Sequence, residues 1–234
     1  MNISIITAKS GSALNNKNLI NVCGNSLLSW QIKASKESKL IDDTYVSTDD
    51  KLIKDEALKL GVKVIDRPKH LAEPNANHGD VIKHACQIIE SKISIKSVTV
   101  LLGNTAMVNS EDIDSCVSKL LSNNLFTGCM TVWKAQDDHP LRAMISKDGF
   151  LESYFKIENI DTNRQSYEPV YFYDQGPWTF RSSNFKLKGL NGPGPWWWMG
   201  DKCVFIERLW VTGRDVHNEF DVMFQEFWVN KFNK

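Results

Sequence analysis

A three-layer α/β architecture on a mostly parallel sheet is predicted by three features of this 234-residue sequence. Short β-branched runs alternate with helical periods through the first 132 residues. One run, Val98-Thr99-Val100-Leu101-Leu102, is nearly uninterrupted in apolar character, as a strand buried on both faces must be. From about residue 135 to 194 the chain turns irregular, aromatic and rich in Pro, Gly and Asp, which predicts an excursion with hairpins rather than a second domain. With 42% hydrophobic residues the chain is long enough for one sizeable core, burying roughly 70% of its unfolded surface.

The elements follow in order. Residues 3–6 read as a strand, 8–18 as a Ser/Gly/Asn loop and 26–34 as a helix. A strand over 44–48 leads through Asp49-Asp50, suited to capping, into a helix with Ile53, Ala57 and Leu60 on one face, ended by Gly61. Residues 62–65 form a third strand, and Val81, Ala85 and Ile88 mark the next helix. After the buried strand, Ser110 is the expected cap of a helix carrying Ile113, Cys116, Val117 and Leu120, and 128–132 is a further strand. Residues 202–210 look like a returning strand. A final helix over 219–232 is expected to bury Phe220, Met223, Phe224 and Phe227.

Composition narrows the function. Lys+Arg and Asp+Glu are both 28, so no cationic face for general nucleic-acid binding is expected. The start of the chain lacks a signal-peptide pattern, and no apolar run approaches the ~20 residues needed to span a bilayer. Five scattered cysteines without a CxxC pair argue against a disulfide framework or zinc knuckle and for a reducing cytoplasm. Parallel sheets bind ligands beyond the carboxyl ends of their strands, which directs attention to loops 8–18, 47–50 and 103–109 and to the residues after Val132. The first of these carries small residues and two lysines, Lys9 and Lys17, suited to a phosphate. It matches neither GxGxxG nor GxxxxGK[ST], so neither dinucleotide nor P-loop chemistry follows.

An ordered set of motifs is more specific. It comprises the small-residue loop ending in Lys17-Asn18, Val46-Ser47-Thr48-Asp49-Asp50, Arg67-Pro68 with Leu71-Ala72, Asp80-Val81-Ile82, and His84-Ala85. It continues with Leu101-Leu102 and Thr105, Glu111-Asp112-Ile113-Asp114, His139-Pro140, Asp148-Gly149, and the segment from Gly176 to Arg181. Over nearly its whole length the chain thereby resembles the acylneuraminate cytidylyltransferases, the CMP-sialic acid synthetases and their relatives. The resemblance implies a nucleotide-diphospho-sugar transferase-like fold and the activation of a 2-keto-3-deoxy sugar acid with CTP, releasing pyrophosphate and using Mg²⁺, with Mn²⁺ as the alternative metal. It further implies a homodimer, with 135–195 serving as a substrate and dimerisation insertion in a single domain over 1–234.

By this resemblance Lys9, Lys17 and Asp215 are the catalytic candidates. Ala8, Ser10, Gly11, Ser12, Asn18, Arg67, Asp80, Asn104 and Thr105 are the nucleotide-binding candidates. The family's metal-binding Asp-x-Asp aligns with Asp215-Val216-His217, and Asp221 is a candidate to compensate for the lost second aspartate. An imidazole is a poor ligand for Mg²⁺, which prefers hard oxygens. Other departures are Lys9 where the family has Arg, a loop one residue short, Gly103 for Gln, and Asn109 for a closing Arg. Asp174 and Gln175, set among aromatics, are expected to hydrogen-bond a sugar, against the alternative of a hairpin with a polar turn. Trp196-Trp197-Trp198 cannot all face one core from a strand, so an intersubunit interface is expected there. His84 reads as a packed residue, and His70 and His78 as loop residues without partners.

The expected activity is therefore cytidylyl transfer from CTP to an acidic sugar of the nonulosonate type. The alternatives are a non-catalytic nucleotide- or sugar-binding relative, and a nucleotidyltransferase using another nucleotide.

Overall fold

The computed structural model describes every residue except 12, 13, 158, 159, 188, 233 and 234. Strand β1 (Asn2–Thr7) leads through the two-residue strands β2 (Asn21–Val22) and β3 (Asn25–Ser26) into α1 (Leu27–Glu37). Then come β4 (Asp43–Thr48), α2 (Lys51–Lys59), β5 (Lys63–Asp66), α3 (His78–Glu90), β6 (Ser97–Leu102), α4 (Ser110–Leu121) and β7 (Gly128–Lys134). The hairpin β8 (Met144–Lys147) and β9 (Phe150–Ser153) precedes β10 (Tyr171–Arg181), β11 (Cys203–Arg208) and α5 (Glu219–Phe232). Seven strands form one sheet in the order β11-β7-β10-β6-β1-β4-β5. Within it β10 alone runs antiparallel to its neighbours, β6 and β7.

Alternation along the strands builds two cores. Ile3, Ile5, Val98 and Val100 face α3 through Ile82, Ala85 and Ile89, whereas Ile6, Val46 and Leu101 face Leu28, Ile32, Ile53 and Val117 of α1, α2 and α4. The helix ends follow capping chemistry. The side chain of Ser26 accepts from Ser29 N, and that of Asp50 accepts from Leu52 N and Ile53 N. Gly61, at φ 73°, closes the α2 end in a left-handed conformation. The cap of α4 is Asn109 rather than Ser110: its amide oxygen accepts from Asp112 N while Asp112 accepts from Asn109 N. The residue that stands where the family closes its loop with Arg is thus a helix cap.

Three expectations about the second half are corrected. The β8–β9 hairpin does leave the sheet, but 171–181 is one strand of the central sheet, not a hairpin. Its polar interruption is a bulge: pairing with β7 shifts register between Tyr173 and Trp178, and Gly176-Pro177 is cis.

Second, α5 buries Asp221, Gln225, Trp228 and Val229, leaving Phe220, Met223, Phe224 and Phe227 exposed. Gln225 accepts from Ala106 N at 2.7 Å and donates to Arg214 O at 3.0 Å, so a polar residue on the inner face has the partners that burial requires.

Third, the three tryptophans do not lie in a strand. A 3-10 turn (Trp197–Met199) sends them apart within the chain: Trp196 against Tyr173 and Trp178, Trp197 against Phe185, and Trp198 against His78. Gly79 makes room for the last, since a Cβ there would lie 2.7 Å from the Trp198 ring.

Candidate active site

From β1 the chain moves outward to β4 and β5, then returns to β6 on the other side of β1. Loops leaving β1 and β6 therefore diverge, opening a crevice at the carboxyl ends of these strands. A cleft of about 320 Å³ lies there, lined among others by Thr7, Lys9, Lys17, Asn18, Arg67, His78 and Asn104. Gly103 lets the two loops start in contact before they diverge, because a Cβ at this position would fall 2.9 Å from Ala8 Cβ and 3.1 Å from Asn18 Oδ1.

The first loop is braced from both sides. Ala8 is buried and its N–H donates to Ser47 O at 3.2 Å. Ser10 N donates to Asp49 at 3.1 Å and Ser10 Oγ to the same carboxylate at 2.5 Å, so this hydroxyl is committed to the neighbouring loop. Gly11 is exposed in a left-handed conformation, and Ser12 lies outside the described residues. Lys9 Nζ donates to the carbonyls of Ala72 and Glu73 at 3.4 and 3.2 Å, and Asn18 Nδ2 donates to Lys9 O at 3.0 Å. Arg67 is buried, donating to Ser47 Oγ and Ser47 O at 3.3 and 2.6 Å. Burial lowers its pKa to about 10, opposed by the charge of Asp49, so the guanidinium stays charged at neutral pH.

Asp215 gathers the other end of the cleft. Its Oδ2 accepts from Lys17 Nζ at 3.0 Å and Asn104 Nδ2 at 2.6 Å, and its Oδ1 lies 2.8 Å from His217 Nε2. Asn104 Oδ1 is buried without a hydrogen-bond partner. Among the described residues no group of three or more His, Cys, Asp or Glu is arranged to hold a metal. The residues here with oxygens suited to a hard cation are Asp215 and Asn104, which touch through Asn104 Nδ2, and they would leave most positions to water and ligand oxygens.

Asp221 does not belong to that set. Its carboxylate accepts from His217 N and Asn218 N at 2.8 and 2.9 Å, capping the approach to α5.

Several other candidates are placed away from the cleft. Thr105 is fully buried, its hydroxyl shared with Gln225 Oε1 and Met107 N. Asp80 is exposed on the first turn of α3.

Asp174 is fully buried and cannot touch a sugar. Its Oδ2 accepts from Arg208 Nη1 at 2.9 Å and Thr212 Oγ1 at 3.0 Å, while Oδ1 accepts from Gly176 N and Thr131 Oγ1. Gln175 is buried too, donating to Gly213 O at 3.2 Å. Asp174 ties β10 to β11 and, through Thr212, to the turn that follows it, and Gln175 ties β10 to that turn.

The residue that sequence reasoning missed is His78. As the first residue of α3 it reaches the cleft, sharing a 3.0 Å hydrogen bond with Thr7 Oγ1 and meeting the rings of Trp178 and Trp198 edge-on. Burial, and secondarily the charge of Arg67, lowers its pKa to about 4, so the imidazole is neutral at physiological pH. The readable signal was position: a helix that starts at the ligand-binding edge of a parallel sheet points its first turn there.

Comparison with known proteins matches this architecture to a family. The cytidylyltransferase family model covers residues 3–186. The pseudaminic acid cytidylyltransferase of Campylobacter jejuni is 27% identical over 178 residues, 74% of this chain and 77% of that protein. The N-acylneuraminate cytidylyltransferase of Escherichia coli is 36% identical over 87 residues, covering 37% of this chain and 21% of that protein. Among solved structures, CMP:2-keto-3-deoxy-manno-octonic acid synthetase complexed with CTP superimposes with a TM-score of 0.69 at 12% identity, covering 98% of both chains. A 4-diphosphocytidyl-2C-methyl-D-erythritol synthase gives 0.69 at 11% identity, covering 97% and 99%. These structural matches establish the fold, and the match over 3–186 establishes that the chain belongs to the cytidylyltransferase family.

Proposed function

We propose that this enzyme transfers CMP from CTP to an acidic 2-keto-3-deoxy sugar of the nonulosonate class, with release of pyrophosphate. One observation carries the reading: Lys9, Lys17 and Arg67 converge on a single cleft at the switch point of the sheet, beside Asp215 and Asn104. The names of the curated relatives support the sugar class.

In this reading the sugar hydroxyl attacks the α-phosphorus and gives up its proton to water, the bond from the α-phosphorus to the oxygen bridging to the β-phosphorus breaks, and pyrophosphate departs with that oxygen. Lys9 and Lys17 offset the charge of the triphosphate, while Arg67 and Asn18 hold the base end. His78 keeps a neutral, fixed wall between those ends. Asp215 and the Asn104 amide oxygen would hold Mg²⁺, or Mn²⁺, which when bound neutralises phosphate charge and polarises the phosphoryl group. A homodimer is supported by the bare hairpin, where Met144, Phe150 and Leu151 are 65%, 75% and 70% exposed. A reducing, cytoplasmic setting is supported by five free cysteines, three of them buried. No helix among the described residues is long and apolar enough to cross a membrane.

The test is metal-dependent pyrophosphate release from CTP with a panel of acidic sugars. Lys17→Ala is expected to lower turnover more than tenfold, and unchanged turnover removes Lys17 from the mechanism.

A further inference from the structure

The Lys17–Asp215 pair poses a problem for any enzyme that must place a divalent cation at Asp215. Both carboxylate oxygens are already engaged, by Lys17 and Asn104 on one side and by His217 on the other. The Lys17 and Asp215 side chains are only 9% and 15% exposed, so their charges are poorly screened. A cation approaching Asp215 would meet an ammonium within a few ångströms of its own position. The remaining cleft cations are tied differently, Lys9 to the backbone carbonyls of Ala72 and Glu73 and Arg67 to Ser47. Among these three, Lys17 alone is held by the carboxylate that a metal would need.

We propose that Lys17 locks Asp215 against divalent cations until a nucleotide arrives. The inference rests on the reading of the cleft as a CTP site and adds the order in which that site fills. A triphosphate, with up to four negative charges, competes with one carboxylate for the Lys17 ammonium. Once Lys17 turns to the phosphates, Asp215 loses its ammonium and keeps only Asn104 Nδ2 and His217 Nε2 as polar neighbours among those described, while Asn104 itself carries a buried, unpartnered Oδ1. Two protein oxygens fall short of the six that Mg²⁺ takes, so the phosphates supply ligands as well as drawing the lysine away. Nucleotide and metal therefore bind with positive coupling, which thermodynamics requires to be reciprocal. The benefit is selectivity in time: the metal charge is installed only over a loaded substrate.

The lock makes one residue act with opposite signs on two ligands. Removing the ammonium weakens the nucleotide and strengthens the bare metal. The experiment titrates Mn²⁺ alone into the full chain, followed by electron paramagnetic resonance, for wild type, Lys17→Met, Lys17→Gln, Lys17→Arg and the double variant Lys17→Met/Asp215→Asn. Melting temperatures check that each is folded, and the Gln variant preserves the test if Met does not fold. CTP affinity is measured separately in chelator.

Lys17→Met or Lys17→Gln is expected to bind Mn²⁺ at least tenfold more tightly than wild type, Lys17→Arg to stay as weak as wild type, and the double variant to lose the gain. CTP affinity in chelator should fall in the same neutral variants. Equal Mn²⁺ affinity in wild type and both neutral variants, or a gain that survives Asp215→Asn, overturns the lock. Absence of CTP binding to wild type would instead overturn the functional reading, which keeps the two failures apart.

Discussion

The first hundred residues and the last hundred are held together by different kinds of bond. In the first part, β1, β4, β5 and β6 pair in parallel, their side chains alternate between two helical layers, and each helix is capped by a residue next to it in sequence. In the second part the decisive bonds cross the chain. Asp174 of β10 is held by Arg208 of β11, which also reaches Asp112 of α4 and the carbonyls of Gly176 and Met107. The difference teaches where local pattern stops being informative. A polar group satisfied by its neighbours leaves a readable motif, whereas one satisfied from 34 or 96 residues away looks like a surface residue until the fold is known.

Breaking the long-range bond is the sharpest test of that contrast. Asp174→Ala removes a fully buried carboxylate, leaves Thr131 Oγ1, Thr212 Oγ1 and Gly176 N without that acceptor, and leaves Arg208 with Asp112 as its one charge partner; breaking a buried pair costs about 3–5 kcal/mol. Chemical denaturation should show that loss, and a change below about 1 kcal/mol would mean the pair is not what joins β10 to β11.

His78 sits where the two parts meet, bonded to Thr7 of β1 and packed against Trp178 and Trp198. Its folded pKa of about 4 lies below the ordinary 6.5, so the unfolded chain takes up the proton first as pH falls. The contribution is therefore present in full above pH 6.5 and is lost as pH drops toward 4, by an amount of order 3 kcal/mol. His78→Gln should flatten that part of the stability–pH curve; an unchanged slope would assign the loss to other groups.

The smallest effect belongs to the local bonds. Asp50→Ala deletes an N-cap that accepts from two backbone amides of α2 and should cost about 1 kcal/mol. A cost matching that of Asp174→Ala would erase the comparison.

The same contrast explains what was legible beforehand. The strands before residue 103 and the helices between them follow from periodicity and caps, because burial there is decided within a few residues. Lys9, Lys17, Asn18, Arg67 and Asn104 meet in one cleft since each lies in or beside the carboxyl-end loops of that regular half. Asp215 joins them from a distant loop that family resemblance, not pattern, singled out. Thr105, Asp174, Gln175 and Asp221 carried the same polar signature, yet their partners are internal: Gln225, Arg208, Gly213 O and the amides before α5. The inner face of α5 misled for the reverse reason, since Gln225 is buried by virtue of contacts with Ala106 N and Arg214 O that no helical period records.

The central claim is that the cleft beneath Lys17 and Arg67 is a CTP site. Calorimetric titration of the full chain with CTP, UTP, ATP and GTP, with and without Mg²⁺ or Mn²⁺, tests it without knowledge of the sugar. The account predicts binding of CTP in preference to the other three, strengthened by the metal. Binding of none of the four, or a preference for another nucleotide, would contradict it.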